Sequence, residues 1–180
     1  TNETLANYGN AGNCIRVNTT ATAPTILEIG SSTAGEGNYI LWHQSNAGIL
    51  VERGAPRILG NFIGATGEDA VNRRNFRGIH VMVNAGSAQI GGSGPNDGNV
   101  IGFNTVGIQI ETLAAVSVHG NYIGTDRSWR ALPGSASGIV YNNSGGAGNA
   151  LVTSNYICFY NGTGVEGIYV SRGSFTVKGN

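Results

Sequence analysis

Apolar residues in this chain come in short bursts, never in long runs. One family of bursts reads Gly48-Ile-Leu-Val51, Gly78-Ile-His-Val81, Gly107-Ile-Gln-Ile110, Gly138-Ile-Val-Tyr141 and Gly167-Ile-Tyr-Val170. A second reads Asn38-Tyr-Ile40, Asn61-Phe-Ile63, Asn99-Val-Ile101, Asn121-Tyr-Ile123 and Asn155-Tyr-Ile157. A third, lying before the Asn of most units, includes Arg57-Ile-Leu59, Val116-Ser-Val118, Leu151-Val152 and Phe175-Thr-Val177. β-Branched residues at alternate positions, with glycine or asparagine at each boundary, predict short strands separated by sharp turns, three to each unit.

The bursts are periodic. At an offset of 60 residues, Arg57-Ile-Leu-Gly-Asn-Phe-Ile-Gly64 lies over Ser117-Val-His-Gly-Asn-Tyr-Ile-Gly124 without a gap, and the Gly-Ile bursts recur every 29 to 31 residues. A unit of that length cannot bury an apolar face alone, whereas units stacked ~4.8 Å apart pair each strand with its equivalents above and below. The prediction is an all-β chain, a parallel β-helix (β-solenoid) of about six coils with three parallel sheets and inward Ile/Val columns filling its bore. Residues 35–180 carry the repeats. Residues 1–34 depart from them and read as a degenerate first coil or cap-like segment, with Ile15-Arg-Val17 and Ile26-Leu-Glu-Ile29 as its strands.

Composition sharpens this picture. Glycine supplies 30 of the 180 residues and asparagine 21, with one Lys (Lys178), one Met (Met82) and four Pro, as expected of a chain made of tight turns. Ten basic and ten acidic residues cancel, which argues against a nucleic-acid partner held by phosphate neutralisation. No apolar run approaches the ~20 residues that span a bilayer, so membrane insertion is not expected. No leader-like segment opens the sequence at Thr1. Cys14 and Cys158 fall some four to five coils apart, too far to bridge.

The strings Ile90-Gly-Gly-Ser-Gly-Pro-Asn-Asp-Gly-Asn-Val-Ile-Gly102 and Gly120-Asn-Tyr-Ile-Gly-Thr-Asp126, followed by Ala131-Leu132 and Gly138-Ile139, resemble right-handed parallel β-helix repeats of large secreted or surface-bound bacterial proteins. The resemblance covers about residues 35–180. It implies the right-handed fold and an extracellular or cell-surface location. It leaves activity open, because the same scaffold carries adhesins, structural stalks, phage tailspikes, polysaccharide lyases and hydrolases.

The asparagine column Asn38, Asn61, Asn99, Asn121, Asn155 and Asn180 is expected to turn a corner between two sheets, each amide bonded to the next. One residue on stands the column Tyr39, Phe62, Val100, Tyr122 and Tyr156. Neighbours along a strand face opposite ways, so with Ile in the bore this column faces out, to stack on sugar rings, to meet a partner or to lie beneath the chain's own loops. Two longer inserts, 65–77 and 125–137, fall at one corner two coils apart. They bring Glu68, Asp69, Arg73, Arg74 and Arg77 together in one, and Asp126, Arg127, Trp129 and Arg130 in the other. The ligand-contacting candidates are thus Tyr39, Phe62, Tyr122, Tyr156, Trp129, Arg73, Arg127 and Arg130.

Catalysis finds weaker footing. Glycoside hydrolysis needs two facing carboxyls, and only Glu68, Asp69 and Asp126 could converge. His80 and His119 sit on different strands without a nucleophile arranged beside them. No zinc spacing, phosphate loop or calcium loop occurs, so neither metal nor cofactor is expected. The sequence therefore favours a non-catalytic extracellular structural or adhesive segment (stalk, surface repeat or filament subunit), in contact with a polysaccharide or with copies of itself end to end. A carbohydrate-active β-helix enzyme or tailspike stands as the alternative.

Overall fold

The computed structural model describes residues 11–20, 27–66, 71–134, 136–143, 148–158 and 165–180. Among them the chain forms no helix and three parallel sheets. The first sheet stacks β1 (Ile15–Asn18), β4 (Ala47–Arg53), β7 (Arg77–Val81), β10 (Val106–Ile110), β13 (Ser137–Asn142) and β16 (Ile168–Arg172). The second stacks β2 (Glu28–Gly30), β5 (Arg57–Leu59), β8 (Ala88–Gly91), β11 (Val116–His119), β14 (Asn149–Thr153) and β17 (Ser174–Lys178). The third stacks β3 (Tyr39–Ile40), β6 (Phe62–Ile63), β9 (Val100–Ile101), β12 (Tyr122–Ile123) and β15 (Tyr156–Ile157). The chain is a parallel β-helix of about six coils.

Register follows the repeat. Ile49, Ile79, Ile108, Ile139 and Ile168 stand over one another in the first sheet. The 60-residue offset spans two coils, since Ile58 pairs with Ile90 and Ile90 with Val118. The inward columns form one continuous core, with Ile49, Ile58, Ile63, Ile79, Ile90, Ile101, Ile108, Ile123 and Ile139 fully buried. Each such side chain contributes about 1.5 to 3 kcal/mol by leaving water. Ile157, expected in this set, is only half-buried because its coil is the last to carry a strand in the third sheet.

The asparagine column turns the corner between the second and third sheets. Each amide oxygen accepts from the backbone N–H and the side-chain Nδ2 of the preceding asparagine, at 2.8 to 3.2 Å from Asn38 through Asn180. From Asn61 onward each Nδ2 also reaches back to a strand carbonyl, as Asn121 does to Ile90 at 2.9 Å. Buried backbone groups at the corner are thereby satisfied where the sheet ladder is interrupted. At the start of this turn Gly91 has φ +75°, and a Cβ there would lie 2.1 Å from the carbonyl oxygen of His119, so only glycine fits.

A second ladder turns the corner from the third sheet into the first. His43 N–H donates to Asn75 Oδ1 at 3.0 Å, and Asn75 donates through its N–H and Nδ2 to Asn104 Oδ1 at 3.0 and 2.9 Å. The two inserts leave from this same corner and close alike. Arg73 N–H donates to Gly64 O at 3.2 Å and Leu132 N–H to Gly124 O at 2.8 Å. Their own carbonyls accept from Trp42 and Phe103, both in the left-handed backbone region with φ 71° and 59°.

Candidate functional site

Outside the third sheet the aromatic column faces out as the alternation demands, but it is interrupted. Tyr39 is 52% exposed and stacks on Phe62, ring centroids 5.0 Å apart. Tyr156 is 43% exposed and stacks on Tyr122, again at 5.0 Å. Between these pairs Val100 is 1% exposed. It lies in a small second core with Ala65, Phe103 and Leu132, against which Phe62 and Tyr122 also pack. The outward stripe is therefore two aromatic ledges separated by a patch that the insert at 125–137 covers with Leu132.

The same insert completes the larger ledge. Trp129 is 56% exposed, the most exposed of the large hydrophobic side chains among the described residues, and meets Tyr156 edge-on with centroids 4.7 Å apart. Its backbone is left-handed, φ 63°, a conformation that costs a bulky residue energy unless its surroundings enforce it. Asp126 enforces it. One carboxylate oxygen accepts from Ser128 N–H at 2.8 Å and Arg130 N–H at 3.0 Å, and the other pairs with the Arg130 guanidinium at 2.8 Å. The Thr125 hydroxyl donates to Arg130 O at 3.0 Å, and Thr125 bridges Ala131, closing the loop at its base.

Arg127 fixes the loop to the coil before it. Its guanidinium donates to Gly98 O at 3.1 Å, Asn96 O at 3.3 Å and Asn96 Oδ1 at 3.3 Å, and lies over the Tyr122 ring at 5.9 Å. Arg127 thus borders the ledge with both terminal guanidinium nitrogens engaged, and Arg130 with its guanidinium paired to Asp126. Arg73, placed by the sequence among the outer contacts, is 8% exposed and occupies the position that Leu132 fills two coils on. Burial withdraws its side chain from the outer surface.

Of the three candidate carboxylates, Asp126 is the one described, and it is committed to its own loop. Asp126 is 4% exposed, and both its oxygens serve its own loop. Glu68 and Asp69 lie outside the described residues. No group of three or more His, Cys, Asp or Glu poised to hold a metal occurs among the described residues.

Sequence reasoning missed a polar cluster on the outer face of the first sheet. Arg77 Nε donates to Gln109 Oε1 at 2.5 Å, Gln109 Nε2 to Glu111 Oε1 at 2.5 Å, and His80 Nε2 lies 3.2 Å from Glu111 Oε2. Burial pushes the His80 imidazole below its usual pKa, against the upward pull of Glu111. The signal was present in the register, since Arg77, His80 and Gln109 fall on adjacent rungs of one sheet.

Cys14 and Cys158 are free thiols in the first and fifth coils, and burial raises both above the usual thiol range. No helix among the described residues is long and apolar enough to cross a membrane. The chain matches no family model, no curated protein and no solved structure.

Proposed function

We propose that this chain is a non-catalytic, extracellular structural or adhesive β-solenoid segment whose contact surface is the ledge of Tyr122, Tyr156 and Trp129. One observation supports the reading above the rest: Trp129 is held out in solvent in a left-handed backbone by a buried carboxylate spent on that task. An exposed indole that merely covered the chain would need no such device. Flat aromatic faces on a rigid loop suit the apolar faces of sugar rings. The Asp126 carboxylate beside the ledge is spent on its own loop, which favours binding over cleavage.

The test has two arms. Electrophoresis through gels containing soluble polysaccharides is expected to retard the chain, and Trp129→Ala is expected to weaken that retardation at least fivefold. Incubation with the same polysaccharides is expected to release no reducing ends and no unsaturated uronates. Cleavage that disappears in Asp126→Asn would replace this reading with a carbohydrate-active enzyme.

A further inference from the structure

The second sheet carries a groove that belongs to neither the ledge nor the inserts. It runs parallel to the solenoid axis along the corner where the first sheet passes into the second, holds about 500 Å³, and touches five successive coils, from Pro56 to Ser174. At ~4.8 Å per coil its rungs extend roughly 19 Å. The outward positions facing it are register equivalents, Arg57, Gln89, Ser117, Leu151 and Thr176. Small residues line it, Ala55 and Ala115 at the corner and Ala88 and Ala150 with side chains turned into the core.

We infer that this groove binds a neutral polysaccharide strand lying along the axis. Its length across equivalent rungs selects a linear ligand. Apart from Arg57, the polar side chains it offers at those rungs are the uncharged Gln89 amide and the Ser117 and Thr176 hydroxyls, matched to sugar hydroxyls and wasted on an acyl chain. Arg57, the one charged residue lining it, is paired with Glu28 at 2.9 Å, which disfavours uronate-rich or otherwise acidic polymers. The backbone N–H groups of the inner rungs are engaged by the strands above and below, so an extended peptide would find no ladder to join. Leu151, 45% exposed and next to the middle rung of the outward column, supplies an apolar contact for a ring face. This surface is on a different sheet from Trp129, and its binding does not depend on the ledge.

Affinity electrophoresis of the full chain against a β-glucan, a xylan, a galactomannan and polygalacturonate tests the inference. At least one neutral polymer is expected to retard the chain, with no dependence on salt, while polygalacturonate does not. In a Trp129→Ala background, Ser117→Trp, which fills the groove at its middle rung, is expected to weaken the remaining retardation at least tenfold. The milder pair Gln89→Ala and Thr176→Ala, which alters one half-buried and one exposed side chain, is expected to weaken it about threefold and guards against misfolding of the Trp variant. The inference is overturned if no neutral polymer retards the chain, if polygalacturonate retards it as well as the neutral ones do, or if the groove variants bind like the parent. Loss confined to Trp129→Ala would assign the binding to the ledge alone, overturning the groove and leaving the proposed function in place.

Discussion

Ile123 and Tyr122 are neighbours in a two-residue strand, yet they live in different solvents. Ile123 is fully buried in the bore, while Tyr122 packs outside the sheet against Tyr156 and the second core. Ile123→Ala is expected to destabilise the fold by about 2 to 5 kcal/mol, because the rigid coils above and below restrict collapse of the cavity. Tyr156→Ala, on the exposed end of the outer stack, is expected to cost only about 1 kcal/mol. Urea unfolding of the two variants measures both, and equal costs would mean that inside and outside are reversed. His80 makes a further residue-scale prediction. Its pKa is lowered in the folded chain by burial, whereas the unfolded chain titrates near the usual ~6.5. As pH falls through ~6.5 the unfolded state takes up a proton that the folded state refuses, so stability falls, and it levels off once the folded imidazole also titrates. Urea midpoints measured from pH 7.5 to 5 should therefore decline more in the parent than in His80→Gln.

At the scale of the element, the corners hold the solenoid together as much as the strands do. Asn121 is completely buried; it accepts from Asn99 and donates to Ile90 O, His119 O and Asn155. Asn121→Ala strands several buried groups at once and is expected to cost about 3 kcal/mol or more, at 1 to 3 kcal/mol for each unsatisfied group. Asn180→Ala, at the exposed end of the same ladder, should cost far less, and thermal melts of the two compare them directly. This ladder and the strand register were legible in the sequence because both repeat at fixed spacing, and repetition is what a one-dimensional reading detects. The second ladder, Asn75 and Asn104, was equally periodic, each lying three residues before a Gly-Ile burst. It went unread because His43 joins it through a backbone N–H that any residue could supply. The insert at 125–137 was legible only as a loop rich in Arg, Trp and acid. That Asp126 turns inward to cap the loop, and that Leu132 rather than an aromatic covers Val100, depends on how one loop folds back on its coil. No neighbouring repeat records that. Arg73 illustrates the same limit, since a charged side chain read as surface instead takes a packing position.

Over the whole molecule the two ends of the bore differ, and the difference decides how copies can meet. In the first coil the inward residues Val17 and Ile29 are 4% and 6% exposed, nearly as dry as their equivalents in the middle of the stack. In the last coil the corresponding Val170 and Val177 are 41% and 48% exposed, although Tyr141 and Phe175, centroids 5.3 Å apart, fill part of the section between them. One edge each of β16 and β17, like one edge each of β1 and β2 at the other end, lacks a neighbouring strand among the described residues, the arrangement that recruits another strand unless it is covered. Growth head to tail would need two open ends and would give an unclosed filament. With Val17 and Ile29 already covered, the apolar contact available to this 180-residue chain is between two last coils, which is isologous and stops at a dimer. Sedimentation velocity over a concentration series should therefore show a monomer passing to a dimer and no larger species. Val177→Lys, which sets a charge on the exposed apolar section, should abolish the dimer, whereas Val83→Lys, exposed on the flank between the first and second sheets, should not. Species that keep growing with concentration would mean that the first coil opens, and would restore end-to-end stacking as the way this solenoid assembles.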